Sequence, residues 1–143
     1  MAVSYAQDSF RVSREKIREF ANALGERNPV CHSVKAAQAA GYPDLVAPPT
    51  FLTSLQLLEL ERFLSSSEVG LDISQILHGE QGFVLHRPVI AGDELASKTS
   101  IEDQRERCDA TFYSLATRVE SVSGELVAIL SSTIVAGATG AVS

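Results

Sequence analysis

The apolar positions in the first third of the chain repeat with the period of a helix. One buried stripe is formed by residues at the i, i+3, i+4, i+7 spacing, namely Ile17, Phe20, Ala21 and Leu24. Ser13 is a plausible N-cap and Gly25 a left-handed C-cap, so we predict a helix over residues 14–24. Ser33 and Gly41 bound a second, short, alanine-rich helix in the same way.

A longer apolar segment follows Pro48 and Pro49. Proline is favourable at the first position of a helix because its missing N–H would be unpaired there anyway. We therefore predict a helix from Thr50 to about Leu64, ended by the serines at 65–67. Its apolar residues leave only a narrow polar side, which indicates a helix buried over most of its circumference: Phe51, Leu52, Leu55, Leu57, Leu58, Leu60, Phe63 and Leu64.

The second half of the chain changes to a strand-like pattern. Residues 79–89 and 95–101 are predicted as strands joined by the turn at 91–94, and residues 109–120 and 125–135 as a hairpin around 121–124. Several of these stretches are apolar on both faces, which favours a sheet covered on both sides. The weakly patterned residues 137–143 are expected to fray. One buried helix followed by an antiparallel meander predicts an α+β fold.

Size and composition narrow the possible functions. The 143 residues are expected to form one domain over 1–143, with an ordered core at about 10–136. A net charge of −6 argues against nucleic-acid binding. No apolar run approaches the roughly 20 residues of a membrane span, and the N-terminus lacks a signal peptide, so we expect a cytoplasmic protein. The two cysteines and three histidines show no metal-ligand spacing, and neither a metal nor a cofactor is expected.

The richest chemistry lies between the first two helices. Residues 25–32, Gly-Glu-Arg-Asn-Pro-Val-Cys-His, place a carboxylate, an amide and an imidazole in one turn, and residues 47–51, Ala-Pro-Pro-Thr-Phe, lead into the long helix. This pattern resembles the signature of the MaoC-like, hydratase-2 family, which has Gly-Asp-x-Asn-Pro-(aliphatic)-His followed by Ala-His-Gly at the helix entry. Residues 77–83, 86–95 and 123–128 also look like later parts of the family, so that the resemblance covers about residues 10–136.

The resemblance implies a hot-dog fold, an antiparallel sheet wrapped around a long central helix, and a role in hydration or dehydration of acyl thioesters. Removing water from a 3-hydroxyacyl thioester needs an acid and a base that share the departing water. By analogy, Glu26 and His32 would be the catalytic pair and Asn28 would orient them. The implied substrate-binding residues are Pro49, Thr50, Phe51, His78 and Gly79. The implied partners are an acyl-CoA or acyl-carrier-protein thioester and a second hot-dog subunit, in a homodimer or a heterodimer.

Two departures from the family pattern bear on catalysis. Cys31 is interpreted as an added residue, because His32 lies six positions after Glu26 where the family has five. Pro48-Pro49 replaces His-Gly, and proline has no N–H to donate to the oxyanion of the thioester. Losing one such donor costs about 10²- to 10³-fold in rate. Both changes favour a subunit that is weakly catalytic or not catalytic alone.

Three functions are consistent with these features. The first is a subunit of a (3R)-hydroxyacyl-thioester dehydratase, closest to the accessory type, which pairs with a catalytic hot-dog partner and helps to form the acyl pocket. The second is a self-sufficient homodimeric (R)-specific enoyl hydratase that uses Glu26 and His32. The third is a non-catalytic acyl-thioester binding module. Taken singly, the turn residues have simpler structural explanations, and His78 and His86 are expected to be structural.

Overall fold

The computed structural model describes residues 9–65 and 76–137. The serines at 66–67 and the expected tail at 138–143 lie outside this range. In chain order the elements are β1 (Phe10–Arg11), α1 (Arg14–Leu24), a 3-10 turn (Pro29–Cys31), α2 (Val34–Ala39), α3 (Thr53–Leu64), β2 (Ile76–Leu85), β3 (Glu94–Arg107), β4 (Ala110–Ser121) and β5 (Leu126–Gly137). None of the helices within the described residues is long and apolar enough to cross a membrane.

The strands form one antiparallel sheet in the order β1-β3-β4-β5-β2. The β4–β5 hairpin is as predicted, and β3 extends well beyond its predicted end to form a long hairpin with β4. The turn predicted at 91–94 is present, with the amide of Asp93 donating to the carbonyl of Ile90. The predicted meander order was wrong for β2, because β2 pairs with β5 at the far edge of the sheet and not with β3. Strand pairing of this kind cannot be deduced from the alternation of apolar and polar residues. That alternation indicates which face of the sheet each residue occupies, but not which strands are neighbours.

Helix α1 has its predicted bounds and α2 ends at Ala39, one residue before the predicted Ala40, because the caps of both helices are strong local signals. The hydroxyl of Ser13 accepts a hydrogen bond from the Lys16 amide at 3.1 Å, and Gly25 ends α1 at a φ of 73°. The hydroxyl of Ser33 caps α2 by accepting from the Ala36 amide at 3.2 Å. The loop between these helices is therefore anchored at both ends, which fixes residues 26–32 against the core.

Helix α3 differs from its prediction in two ways. It begins at Thr53 because residues 48–52 form tight turns, in which the amide of Phe51 donates to the carbonyl of Pro48 at 2.9 Å. Its buried face also includes Gln56 and Glu59, whereas Leu57 and Leu58 are 46% and 43% exposed.

Helix geometry explains why two polar residues of α3 are buried while two leucines are exposed. The buried face of α3 follows the i, i+3, i+4, i+7 stripe that starts at Leu52. The two polar residues lie on that stripe and the two leucines do not. Position on the helix, rather than residue type, therefore decides which of these side chains are buried.

Helix α3 packs on the inner face of the sheet and divides the core into two apolar clusters. One lies at its N-terminal end around Phe51, Leu55 and Leu130, and the other at its C-terminal end around Phe63 and Leu115. On the outer face and free edge, Leu77 and Val84 remain 54% and 59% exposed. The expected cover on the second face is therefore not supplied by the described part of this chain.

Candidate functional site

The loop at 25–32 is held by its own hydrogen bonds. The carboxylate of Glu26 accepts from the Asn28 amide at 3.0 Å, and the side-chain oxygen of Asn28 accepts from the Val30 amide at 3.2 Å. Asn28 thus caps the 3-10 turn at Pro29–Cys31. The carbonyl of Val30 accepts from the Val46 amide at 2.9 Å, which ties the loop to the segment that precedes α3.

These contacts border a cavity of about 470 Å³, which we call the turn groove. It lies between the loop, the entry to α3 and the end of β2. Its wall combines apolar residues with a few polar groups, as in many small-molecule sites: Glu26, Asn28, Val30, Cys31, Tyr42, Val46, Ala47, Pro48, Pro49, Leu85, His86, Arg87 and Pro88. Two of the three predicted catalytic-site residues, Glu26 and Asn28, therefore share one groove.

The thiol residue of the loop, Cys31, belongs to the wall of the turn groove and is almost fully buried. Burial raises the pKa of this thiol, and the negative charge of Glu26 raises it further. A raised pKa lowers the fraction of thiolate, which is the reactive form. Cys31 is thus a small, weakly polar wall residue beside the carboxylate.

His32 lies on the other side of the loop. It borders an outer depression of about 500 Å³ that Asn22, Arg27, Ser33 and also Glu26 line. Glu26 and His32 therefore share this depression, and Glu26 and Asn28 share the turn groove. Its ring nitrogen Nε2 lies 2.7 Å from the backbone carbonyl of Glu26, and because a carbonyl only accepts, Nε2 donates this hydrogen bond. The carbonyl of His32 in turn accepts from Arg18 at 3.1 Å. The imidazole is therefore used to hold the loop and does not reach the turn groove.

The placement of these neighbours corrects the interpretation of Cys31 as an insertion. Cys31 lies 31 − 26 = 5 positions after Glu26, which is the spacing of the histidine in the family signature. It is also Cys31 that borders the groove, while His32 faces away. The loop is thus better described as one in which a thiol replaces the imidazole, with no change in loop length.

The entry to α3 has no backbone donor at Pro49, where the family pattern has a glycine. Pro49 lines the groove without an N–H. Of the amides that follow, those of Phe51, Thr53 and Ser54 donate to the carbonyls of Pro48, Thr50 and Phe51. Thr50 is exposed beside these turns.

The Phe51 ring lies in the core rather than on the groove wall. It packs against Phe10 and Phe20 with ring centroids 6.3 and 5.6 Å away. Phe51 therefore shapes the groove only through the core that supports it.

His78 and Gly79 are not brought to the turn groove. They lie near the start of β2, whereas the groove is bordered by Leu85 at the end of that strand. Gly79 borders a different depression, with Arg105 and Phe112. A rise of roughly 3.3 Å per residue places His78 about 23 Å along the strand from Leu85.

Comparison with known proteins identifies the family. Residues 1–130 match the model of the FAS1-like, dehydratase domain region. A UPF0336 protein from Saccharopolyspora erythraea is 40% identical over 131 residues, covering 92% of this chain and 84% of the relative. One from a Parafrankia species is 44% identical over 126 residues, covering 87% and 83%. The chain belongs to the MaoC-like, FAS1-type dehydratase family.

Solved structures agree with the hot-dog fold of this family. The HadBC (3R)-hydroxyacyl-ACP dehydratase complex from Mycobacterium tuberculosis matches with a TM-score of 0.86 and 35% identity, covering 94% of this chain and 95% of that one. The (R)-hydratase from A. caviae, at 19% identity and a TM-score of 0.75 over 93% of both chains, shows the shared fold. The predicted α+β hot-dog architecture is confirmed.

In this MaoC-like chain, the groove also includes residues that were not predicted as site residues. His86 and Arg87 follow β2 directly and face the loop across the groove. The guanidinium of Arg87 is tied to Asp93 at 2.8 Å and to Glu125 at 2.7 Å, and its hydrogen bond with Asp93 raises its pKa. The family-like stretch at 86–95 was the available signal, but His86 was interpreted as structural.

No metal-binding constellation is present in the described residues. No group of three His, Cys, Asp or Glu side chains there is arranged to hold an ion.

Proposed function

We propose that this chain is the substrate-pocket subunit of a (3R)-hydroxyacyl-thioester dehydratase, equivalently an enoyl-thioester hydratase. It would pair with a second hot-dog subunit that supplies the acid–base pair, and it would have little or no activity alone. The family membership supports the reaction class. The 35% identity with the HadBC dehydratase complex supports a role within a multi-subunit enzyme.

One observation is central to this proposal. Cys31, and not His32, stands beside Glu26 and Asn28 on the loop side of the groove, whose lining also includes His86. A thiol with a raised pKa is a poor substitute for imidazole as a proton carrier near neutral pH. The second deficiency is Pro49, which cannot stabilise the oxyanion that forms on the thioester. The groove therefore lacks an imidazole at the loop position of Cys31 and a backbone N–H at Pro49, while His86 lies elsewhere in its lining.

The surface of the chain supports pairing with another subunit. Leu57 and Leu58 on α3, together with Leu77 and Val84 on β2, are exposed large apolar residues. Strand β2 is at the edge of the sheet and pairs on one side only. Adding a partner strand there would extend the sheet and cover this apolar surface.

The partner is expected to carry an unaltered Gly-Asp-x-Asn-Pro-x-His loop and an Ala-His-Gly helix entry. Co-purification of the native protein, followed by mass spectrometry, identifies the partner. Hydration of crotonyl-CoA is then measured for this chain alone, the partner alone and the reconstituted pair. The proposal predicts activity that is highest for the pair and is unaffected by His32→Ala in this chain.

The self-sufficient hydratase is less well supported, because the His32 ring donates to the Glu26 carbonyl and does not line the turn groove. The non-catalytic binding module differs from the main proposal in one measurable respect. It would bind acyl thioesters but would not increase turnover by any hot-dog partner that co-purifies with it.

A further inference from the structure

Three buried polar side chains meet between α3 and β3. Glu59 is 0%, Ser97 3% and Gln56 5% exposed. Both carboxyl oxygens of Glu59, the Nε2 of Gln56 and the hydroxyl of Ser97 have no hydrogen-bond partner. We call these three residues the acid cluster. Within the described part of the chain, five buried side-chain polar atoms have no hydrogen-bond partner; four belong to this cluster and the fifth is Oε1 of Gln81.

The acid cluster contrasts with its neighbours. One pleat along β3, the hydroxyls of Thr99 and Thr117 satisfy each other at 2.9 Å. Ser97 is close enough to Glu59 to lower its pKa, yet the two side chains do not reach hydrogen-bonding geometry. Burial acts more strongly in the opposite direction and raises the pKa of Glu59, which favours the protonated acid. A protonated carboxyl, an amide and a hydroxyl can all donate to an oxygen atom.

Leaving such atoms unpaired is costly, so buried polar groups of this kind call for a partner such as a water, an ion or a ligand. The position of the acid cluster points to a ligand. Gln56 and Glu59 follow the groove end of α3 by one and two helical turns, so that Glu59 lies about 9 Å along the axis from Thr53 at 1.5 Å per residue. An acyl chain with its thioester in the turn groove and its tail along α3 would reach this depth.

We propose that the acid cluster binds an oxygen-bearing group, a hydroxyl or a keto oxygen, on the acyl chain several carbons away from the thioester. This inference rests on the proposed function and specifies its substrate class. Gln56 would donate to the oxygen, and the carboxyl of Glu59 and the hydroxyl of Ser97 would pair with a hydroxyl at the same place. A plain hydrocarbon tail would leave all of these groups unpaired and would bind less tightly.

The test is a binding series with the purified full-length protein. Dissociation constants are measured by calorimetry for dodecanoyl-CoA and for isomers with a single hydroxyl at successive carbons from the middle to the end of the chain. We expect at least one isomer to bind about tenfold more tightly than dodecanoyl-CoA, the effect of about 1.4 kcal/mol. Equal or weaker binding of every isomer overturns the inference and leaves the proposed function standing, the cluster then being satisfied by water. Failure of all of these thioesters to bind overturns both.

Two variants test whether the acid cluster causes the preference for a hydroxylated acyl chain. Glu59→Leu is expected to abolish the preference for the hydroxylated chain while leaving the affinity for dodecanoyl-CoA unchanged or higher. Glu61→Leu, on the exposed face of the same helix, is the matched control and should retain the preference. A preference that survives in correctly folded Glu59→Leu would place the oxygen elsewhere and contradict the proposed site.

Discussion

At the scale of single residues, the chemistry of this chain depends on which side of one loop each side chain occupies. Cys31 and His32 are adjacent in sequence, but only the thiol borders the turn groove. The hydrogen bond from His32 to the Glu26 carbonyl fixes this arrangement. The imidazole of His32 therefore lies outside the turn groove, in the depression that Glu26 also lines.

The two cysteines provide a direct probe of this geometry. Cys31 should react with iodoacetamide more slowly than Cys108, because Cys31 is buried with a raised pKa whereas Cys108 is exposed. Peptide mapping by mass spectrometry after timed labelling gives both rates in one sample. A saturating acyl-CoA should slow the labelling of Cys31 further and leave Cys108 unchanged. Faster labelling of Cys31 would contradict its assigned position.

The buried acid makes stability depend on pH. The pKa of Glu59 is raised in the folded chain above its ordinary value of 4.5, chiefly by burial, so that the folded state holds a proton that the unfolded state releases. Its contribution to stability is therefore full below about pH 4.5 and is lost as the pH rises through the folded pKa, with a slope of up to about 1.4 kcal/mol per pH unit. Urea denaturation across this range should show the loss in the natural protein and its absence in Glu59→Gln. Glu61→Gln should behave like the natural protein.

At the scale of elements, the sequence predicted what local signals determine and missed what tertiary pairing determines. The caps at Ser13, Gly25 and Ser33 define α1 and α2 correctly, because each acts within one helical turn. The partner of β2 and the short strand β1 depend on contacts between distant segments, which no local pattern encodes. The family signature suggested roles for the residues at 25–32. The sequence could not show which of Cys31 and His32 borders the turn groove, because that depends on the conformation of the loop.

The exposed side of α3 is expected to be a partner surface. Leu58→Glu introduces a charge at a position that is 43% exposed in the single chain. The fold of the single chain should therefore tolerate the change. If the partner covers this face, the buried charge would cost several kcal/mol and the complex should dissociate. Light scattering at micromolar concentration measures the change in mass, and Glu61→Gln is the conservative control. An unaltered complex with Leu58→Glu would exclude this face from the interface.

At the scale of the whole molecule, the described residues form a curved five-stranded sheet around one helix, in which β2 is an edge strand and Leu57 and Leu58 of α3 are exposed. We therefore predict that the protein is not a monomer in solution. A stable monomer at micromolar concentration would contradict this expectation. In such an assembly, substrate binding and catalysis could lie in different subunits. One groove would bind the acyl group, and the other would supply the acid, the base and the oxyanion donors.

The central claim is that this chain does not catalyse hydration alone, and the most direct test is kcat/KM for crotonyl-CoA with the purified, partner-free protein. The account predicts a value far below about 10⁴ M⁻¹s⁻¹, the lower end of the usual enzyme range, because Cys31 and Pro49 replace the imidazole and the oxyanion donor. It also predicts no change in His32→Ala. A value of 10⁴ M⁻¹s⁻¹ or more by that same standard, abolished by His32→Ala, would contradict the account and make Glu26 and His32 a working acid–base pair.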